Sequence, residues 1–101
     1  MFENLIVFEK RYEELNQKLY DPAVASDPEV YTKLMKEYKD LTPIVEKYRQ
    51  YRRVEDLEKE AKEILNESGL ERDFRNMAEE ELEEARKEME KTANELKILL
   101  L

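Results

Sequence analysis

Glycine occurs once in this 101-residue chain, at Gly69, and proline three times, at Pro22, Pro28 and Pro43. A β-sandwich or barrel needs a turn about every 8–12 residues and the turn formers to make it. Four such residues cannot supply them, so the chain must run in long uninterrupted stretches, which suits only helices. The composition agrees, with 44% charged and 41% hydrophobic residues and a bias toward Glu, Lys, Leu and Arg. The same counts remove most chemistry. Without Cys there is no disulfide, zinc ribbon or thiol nucleophile, and without His the commonest general base and metal ligand is missing. One glycine cannot build a glycine-rich phosphate loop. The expectation is a non-enzyme with no catalytic residue, cofactor or metal.

Apolar spacing divides the chain into three helices of a single domain. Leu5, Phe8, Tyr12, Leu15 and Leu19 recur at 3, 4, 3 and 4 residues and lie on one face of a helix over about 2–20. Asp21-Pro22 ends it, because the residue before a proline avoids the helical region. The segment 21–27 reads as a short connection. Asp27 with Pro28 at the first helical position opens the second helix, and Ser26 with Glu29 is an alternative capping box. Leu34, Tyr38, Leu41, Val45 and Tyr48, then Tyr51, Val54, Leu57, Ala61 and Ile64, form its stripe. The stripe keeps phase across Pro43, which predicts one kinked helix over about 28–66, roughly 58 Å long. Asn66-Glu-Ser-Gly69 is a stop signal, with glycine suited to the left-handed cap. A third helix over about 70–99 carries Phe74, Met77, Ala78, Leu82, Ala85, Met89, Ala93 and Leu96 on its inner side. The expected architecture is all-α: an elongated three-helix bundle with a long kinked central helix and an antiparallel coiled-coil hairpin. Leu57, Ile64, Phe74 and Leu82 are expected to be shielded from solvent.

The net charge of −8 is uneven. Residues 1–27 carry −3, residues 28–54 carry +3 and residues 55–101 carry −8. The acidic end should repel phosphates and suit a basic protein surface. Glu80, Glu83 and Glu84 are its candidate contacts. As an acid–base pair or cation site that carboxylate run is weaker than as a solvated helix face, because adjacent helical residues diverge and no apolar pocket is evident. The basic counterpart is Lys47, Arg49, Arg52 and Arg53, interleaved with Tyr48 and Tyr51. Arginines on phosphates beside a stacking tyrosine suit RNA. The plainer reading has Tyr48 in the core and the arginines on a solvated face, since four charges neutralise few phosphates. Direct nucleic-acid binding is therefore expected to be weak or absent. The longest apolar runs have four residues, against about 20 for a membrane span, and the first residues lack the features of a signal peptide. A soluble, cytoplasmic interaction module with no membrane partner is expected.

Three stretches carry a resemblance. They are Phe8-Glu-Lys-Arg-Tyr-Glu-Glu-Leu15, Asp21-Pro-Ala-Val-Ala-Ser-Asp-Pro-Glu29 and Tyr38-Lys-Asp-Leu-Thr-Pro-Ile-Val-Glu-Lys-Tyr48. In this order and spacing the chain resembles the N-terminal domain of bacterial class-I peptide chain release factors. Met77-Ala-Glu-Glu-Glu-Leu82 and Lys97-Ile-Leu-Leu-Leu101 are similar to that family as well. The short lead before the first helix is closer to the type that reads UAA and UAG. The resemblance implies a domain fragment, ending before the codon-reading domain with its Pro-x-Thr tripeptide and before the Gly-Gly-Gln loop that promotes peptidyl-tRNA hydrolysis. Neither motif occurs in these 101 residues. It also implies partners: the ribosome at its GTPase-associated region near the stalk base, the recycling GTPase and the glutamine methyltransferase of release factors.

Two other functions compete. A tRNA-binding helical arm of an aminoacyl-tRNA synthetase should present a basic face, whereas residues 55–101 are net −8. A generic coiled-coil oligomerisation module should hold one uninterrupted heptad array, whereas Pro22, Pro28 and Gly69 cut this chain into helices that can pack on each other.

Overall fold

The structure is a computed structural model describing residues 2–101, and every regular element among the described residues is helical. A 3-10 turn at Glu3–Leu5 leads into α1 (Ile6–Leu19). A one-turn helix α2 (Pro22–Ala25) follows, then the 38-residue α3 (Pro28–Leu65) and finally α4 (Arg72–Leu99). The fold is all-α.

The 21–27 segment is more ordered than a plain connection. Asp21 adopts extended backbone, its carboxylate accepts the Ala23 N–H at 2.9 Å, and Pro22 occupies the first helical position. The residue that ends α1 therefore also caps a new turn, a double role that apolar spacing does not reveal. Ser26 Oγ closes that turn by donating to the Ala23 carbonyl at 3.3 Å. Asp27 is the side-chain cap of α3, its Oδ1 accepting the Val30 N–H at 3.3 Å.

α3 runs unbroken through Pro43. Proline removes the bond to the Lys39 carbonyl, but Lys39 and Pro43 are both exposed, and water can satisfy an exposed carbonyl. One step earlier in the ladder, Thr42 Oγ1 donates to the Tyr38 carbonyl at 2.8 Å. The helix ends at Leu65, and Gly69 takes φ +73°, the only positive φ among the described residues. Nothing lies within 4 Å of where a Cβ would sit there, so glycine answers a backbone demand and not crowding. Glu71, in extended backbone, precedes α4, which starts two residues later than apolar spacing suggests.

The residues form two compact units, one ending at Tyr48 and the other spanning Arg49–Leu101. In the first, Phe2, Leu5, Leu15, Val45 and Tyr48 are buried. Leu19, Leu34 and Leu41 are half-buried, and Phe8, placed on the inner stripe by spacing, is exposed. The rings of Tyr12 on α1 and Tyr38 on α3 stack 4.5 Å apart and 9° from parallel.

In the second unit the distal part of α3 and α4 form an antiparallel hairpin. Gln50 Nε2 donates to Glu88 Oε1 at 3.2 Å, and Glu58 faces Arg86 at 3.8 Å. Its seam is narrow. Tyr51, Val54 and Ala61 are buried from α3, and Ala78, Ala85, Thr92 and Leu96 from α4. Ala78, Ala85 and Thr92 recur every seven residues, the period of a coiled-coil strip. The Thr92 hydroxyl is fully buried without a hydrogen-bond partner.

The expected shielding of the wider stripe is corrected here. Leu57 is 56% exposed, Phe74 58%, Met77 57% and Ile64 37%, while Leu82 is half-buried. Two helices bury one strip each, and an apolar face broader than that strip spills to either side.

Pro43→Ala tests the continuity of α3. The substitution restores the missing backbone N–H at an exposed position and should leave thermal stability level or raise it. Each kcal/mol recovered corresponds to about 4–8 °C in a domain of this size. A fall of several degrees with reduced helicity would show that proline is needed at this step.

Candidate functional site

In the second unit, the narrow seam leaves a groove of about 630 Å³ between α3 and α4. Val54, Leu57, Ile64 and Ala85 supply its apolar lining, and Glu60, Glu81, Glu84 and Glu88 supply its polar lining. The pattern has a simple origin. Leu57 and Ile64 are seven residues apart on α3, and Glu81, Glu84 and Glu88 fall three and four apart on α4. Each set therefore repeats along one side of its helix, and the antiparallel pairing brings the two sides together. Among the described residues, no group of three or more His, Cys, Asp or Glu converges to hold a metal ion. The four carboxylates are strung along the groove.

The sequence candidates distribute unevenly over this geometry. Glu84 lines the groove, whereas Glu80 and Glu83 do not figure in its lining. Glu83 pairs with Lys87 at 3.2 Å on the exposed surface. Glu80, Glu83 and Glu84 are all exposed. Of the basic set, Lys47 is half-buried in the first unit. Arg49 is half-buried in the second, and Arg52 and Arg53 are exposed there, Arg52 holding Glu55 at 3.4 Å. Tyr48 and Tyr51 are buried, as the core reading of the tyrosines requires, so neither ring is presented for stacking on a base. Sequence reasoning missed Glu60, Glu81 and Glu88 as members of a groove. The available signal was the three- and four-residue spacing of carboxylates beside an apolar stripe.

The polar features of the first unit serve to fix α1 against α3. Arg11 grips Glu37 with two parallel bonds, Nε to Oε2 at 2.6 Å and a terminal nitrogen to Oε1 at 2.9 Å. It also reaches Glu14 at 3.4 Å. Hydrogen bonding from Arg11, more than simple charge attraction, holds the Glu37 carboxyl below its usual range, and the same contact raises the Arg11 guanidinium. Beside this pair, Thr42 Oγ1 lies 3.3 Å from the Tyr12 hydroxyl. Because Thr42 commits its single proton to the Tyr38 carbonyl, the Tyr12 hydroxyl is the donor in that contact. A hydrogen bond with Tyr12 pushes the Tyr38 phenol up.

These features describe an all-α chain whose hairpin carries a carboxylate-lined apolar groove. Residues 8–101 match the PCRF domain, and the chain belongs to that family. Over all 101 residues it is 46% identical to peptide chain release factor 1 of Caldicellulosiruptor bescii. It is 45% identical, again over its whole length, to the proteins of that name from Clostridioides difficile and a Geobacillus species. The resemblance to class-I release factors is thereby shown. In each pair the alignment covers 100% of this chain and 28% of the relative, so the chain spans about 28% of the length of these curated relatives. No solved structure matches the chain significantly. Among the described residues, no helix is long and apolar enough to cross a membrane.

The Arg11–Glu37 clamp has a defined pH dependence. A depressed carboxyl contributes stability above its unfolded value, about 4.3 for Glu, and loses it as pH falls through the lower folded value. Glu37→Gln should cost no more than about 1 kcal/mol at neutral pH, because the pair is partly solvated. The gap between wild type and variant in urea midpoint should close as pH drops well below 4. A gap that persists at acid pH would mean that packing, not charge, is lost. At alkaline pH the sign reverses for Tyr38: its raised phenol contributes below about 10 and ceases to as pH rises through the folded value.

Proposed function

We propose that this chain is the N-terminal interaction domain of a class-I peptide chain release factor, acting in translation termination at UAA and UAG codons. The observation that carries the reading is the PCRF match over residues 8–101, joined to whole-length similarity to release factor 1 proteins. Within this proposal the 101 residues act as one domain in the cytoplasm, without catalytic residues of their own. Hydrolysis in the family relies on a Gly-Gly-Gln loop, and one glycine cannot supply it. The domain's partner is the ribosome, at its GTPase-associated region near the stalk base, with the recycling GTPase and the glutamine methyltransferase as further partners. Glu80, Glu83 and Glu84 are the proposed contacts for a basic protein surface. Lys47, Arg49, Arg52 and Arg53 are proposed as a second contact set. A synthetase-type tRNA arm has less support, because residues 55–101 are strongly acidic and the tyrosines among the arginines are buried. An oligomerisation coil has less support because the turn at Gly69 lets α3 and α4 pair within one chain.

The reading is tested with bacterial ribosomes carrying peptidyl-tRNA at UAA. The chain alone should release no peptide above a no-factor control, since catalysis requires a loop placed at the ester. It should nevertheless associate with the ribosome, more weakly as salt rises. Glu80, Glu83 and Glu84 exchanged together for Lys should slow association by at least several-fold. Stop-dependent release by the chain, or association rates unchanged by the triple exchange across a salt series, would overturn the corresponding part of the proposal.

A further inference from the structure

The groove of the α3–α4 hairpin brings exposed apolar side chains together with a one-signed set of charges. Val54 and Ala85 are buried, while Leu57 is 56% and Ile64 37% exposed, which makes a buried floor with an open apolar wall. Every charged residue lining it is a carboxylate: Glu60 from α3, and Glu81, Glu84 and Glu88 from α4. We infer that this groove is a docking site for a basic amphipathic helix of a partner protein, which packs along the hairpin as a third helix.

The chemistry of the occupant follows from the lining. The apolar positions from Val54 to Ile64 extend about 15 Å along α3, which is about three helical turns. Leu57 and Ile64 stand one heptad apart, and Val54, Leu57 and Ile64 follow the three- and seven-residue steps of a helix face. A helix with apolar residues alternating at three and four positions meets such a face, and an extended peptide with a two-residue repeat does not. The charges are lopsided, with three carboxylates on the α4 edge and one on the α3 edge. Lysines or arginines of the occupant therefore concentrate on the flank that faces α4. The same lining disfavours a second copy of this chain seated groove to groove, which would oppose two sets of carboxylates in a segment already net −8. The inference rests on the hairpin alone. Its failure would leave the release-factor reading standing, and failure of that reading would leave the groove unchanged.

The test uses the 101-residue chain and two fluorescein-labelled 18-residue peptides of identical Leu and Lys content. In one peptide leucines follow three- and four-residue spacing with lysines on one flank; in the other the order is scrambled so that no stripe forms. Anisotropy at physiological salt should show the striped peptide binding at least 10-fold tighter. Methyl NMR shifts should concentrate at Val54, Leu57, Ile64 and Ala85. Leu57→Gln, at an exposed position, should weaken the striped peptide about 10-fold with an unchanged circular dichroism spectrum. Glu84→Lys combined with Glu88→Lys should weaken it similarly and flatten its salt dependence. Equal affinity for both peptides would reduce the groove to a charged surface and overturn the proposal. So would methyl shifts that map elsewhere, or affinity indifferent to Leu57→Gln. A dimeric sedimentation mass that Leu57→Gln converts to monomer would instead give the groove to a second copy. Shielding of a Leu57→Cys thiol in a longer polypeptide that contains this chain would give it to the protein's own residues.

Discussion

A pair of helices shares one contact strip, and in the hairpin of the second unit small side chains make up much of that strip, with Tyr51, Val54 and Leu96 buried toward the end away from the Gly69 turn. Ala61 on α3 and Ala78, Ala85 and Thr92 on α4 are all buried, three of them to 2% exposure or less. Small residues bury little area each but let two backbones approach closely, so contact is gained along the whole length of the seam. Several larger apolar residues lie at its margins. Leu57, Ile64, Phe74 and Met77 remain open beside the strip, and the groove is the space that Leu57 and Ile64 border on one side.

Much of the fold is legible in the residues because helical periodicity is a local property. The stripes locate α1, α3 and α4 to within a few residues, Asp27 announces a cap, and Gly69 announces a left-handed turn that the backbone takes up. Competing local signals hide the rest. Asp21 ends one helix through its backbone and caps the next through its side chain, so α2 is invisible to a reading that assigns each residue one role. Burial along a stripe is set by how many neighbours are present and how wide each is, which spacing within one helix cannot express. Thr92 illustrates the limit, since a hydroxyl at a seam position reads as surface until its place in the heptad with Ala78 and Ala85 is seen.

The candidate site was legible in charge and obscure in shape. A net −8 over residues 55–101 points to a basic partner, but a linear run such as Glu79–Glu84 spreads around a helix. Only Glu81 and Glu84 from that run reach the groove, joined by Glu60 from the opposite helix and Glu88 from the next turn. The tyrosines show the converse. Tyr48 and Tyr51 sit among arginines in sequence and suggest a nucleic-acid surface, yet their burial assigns them to packing.

The seven-residue recurrence of Ala78, Ala85 and Thr92 also has a bearing on register. Small residues on such a repeat look alike to the facing helix after a slide of one heptad, so they oppose sliding only weakly. The hairpin must take its alignment from features that do not repeat. One is the short link from Asn66 to Glu71 with its left-handed glycine, which leaves little slack between the helices. The others are the cross-links of Gln50 to Glu88 and Glu58 to Arg86, which a slide of about 10 Å would break together. The length of that link thus functions as a ruler: the turn, with the cross-links and the non-repeating Tyr51 and Leu96 of the seam, determines which carboxylates stand opposite Leu57 and Ile64.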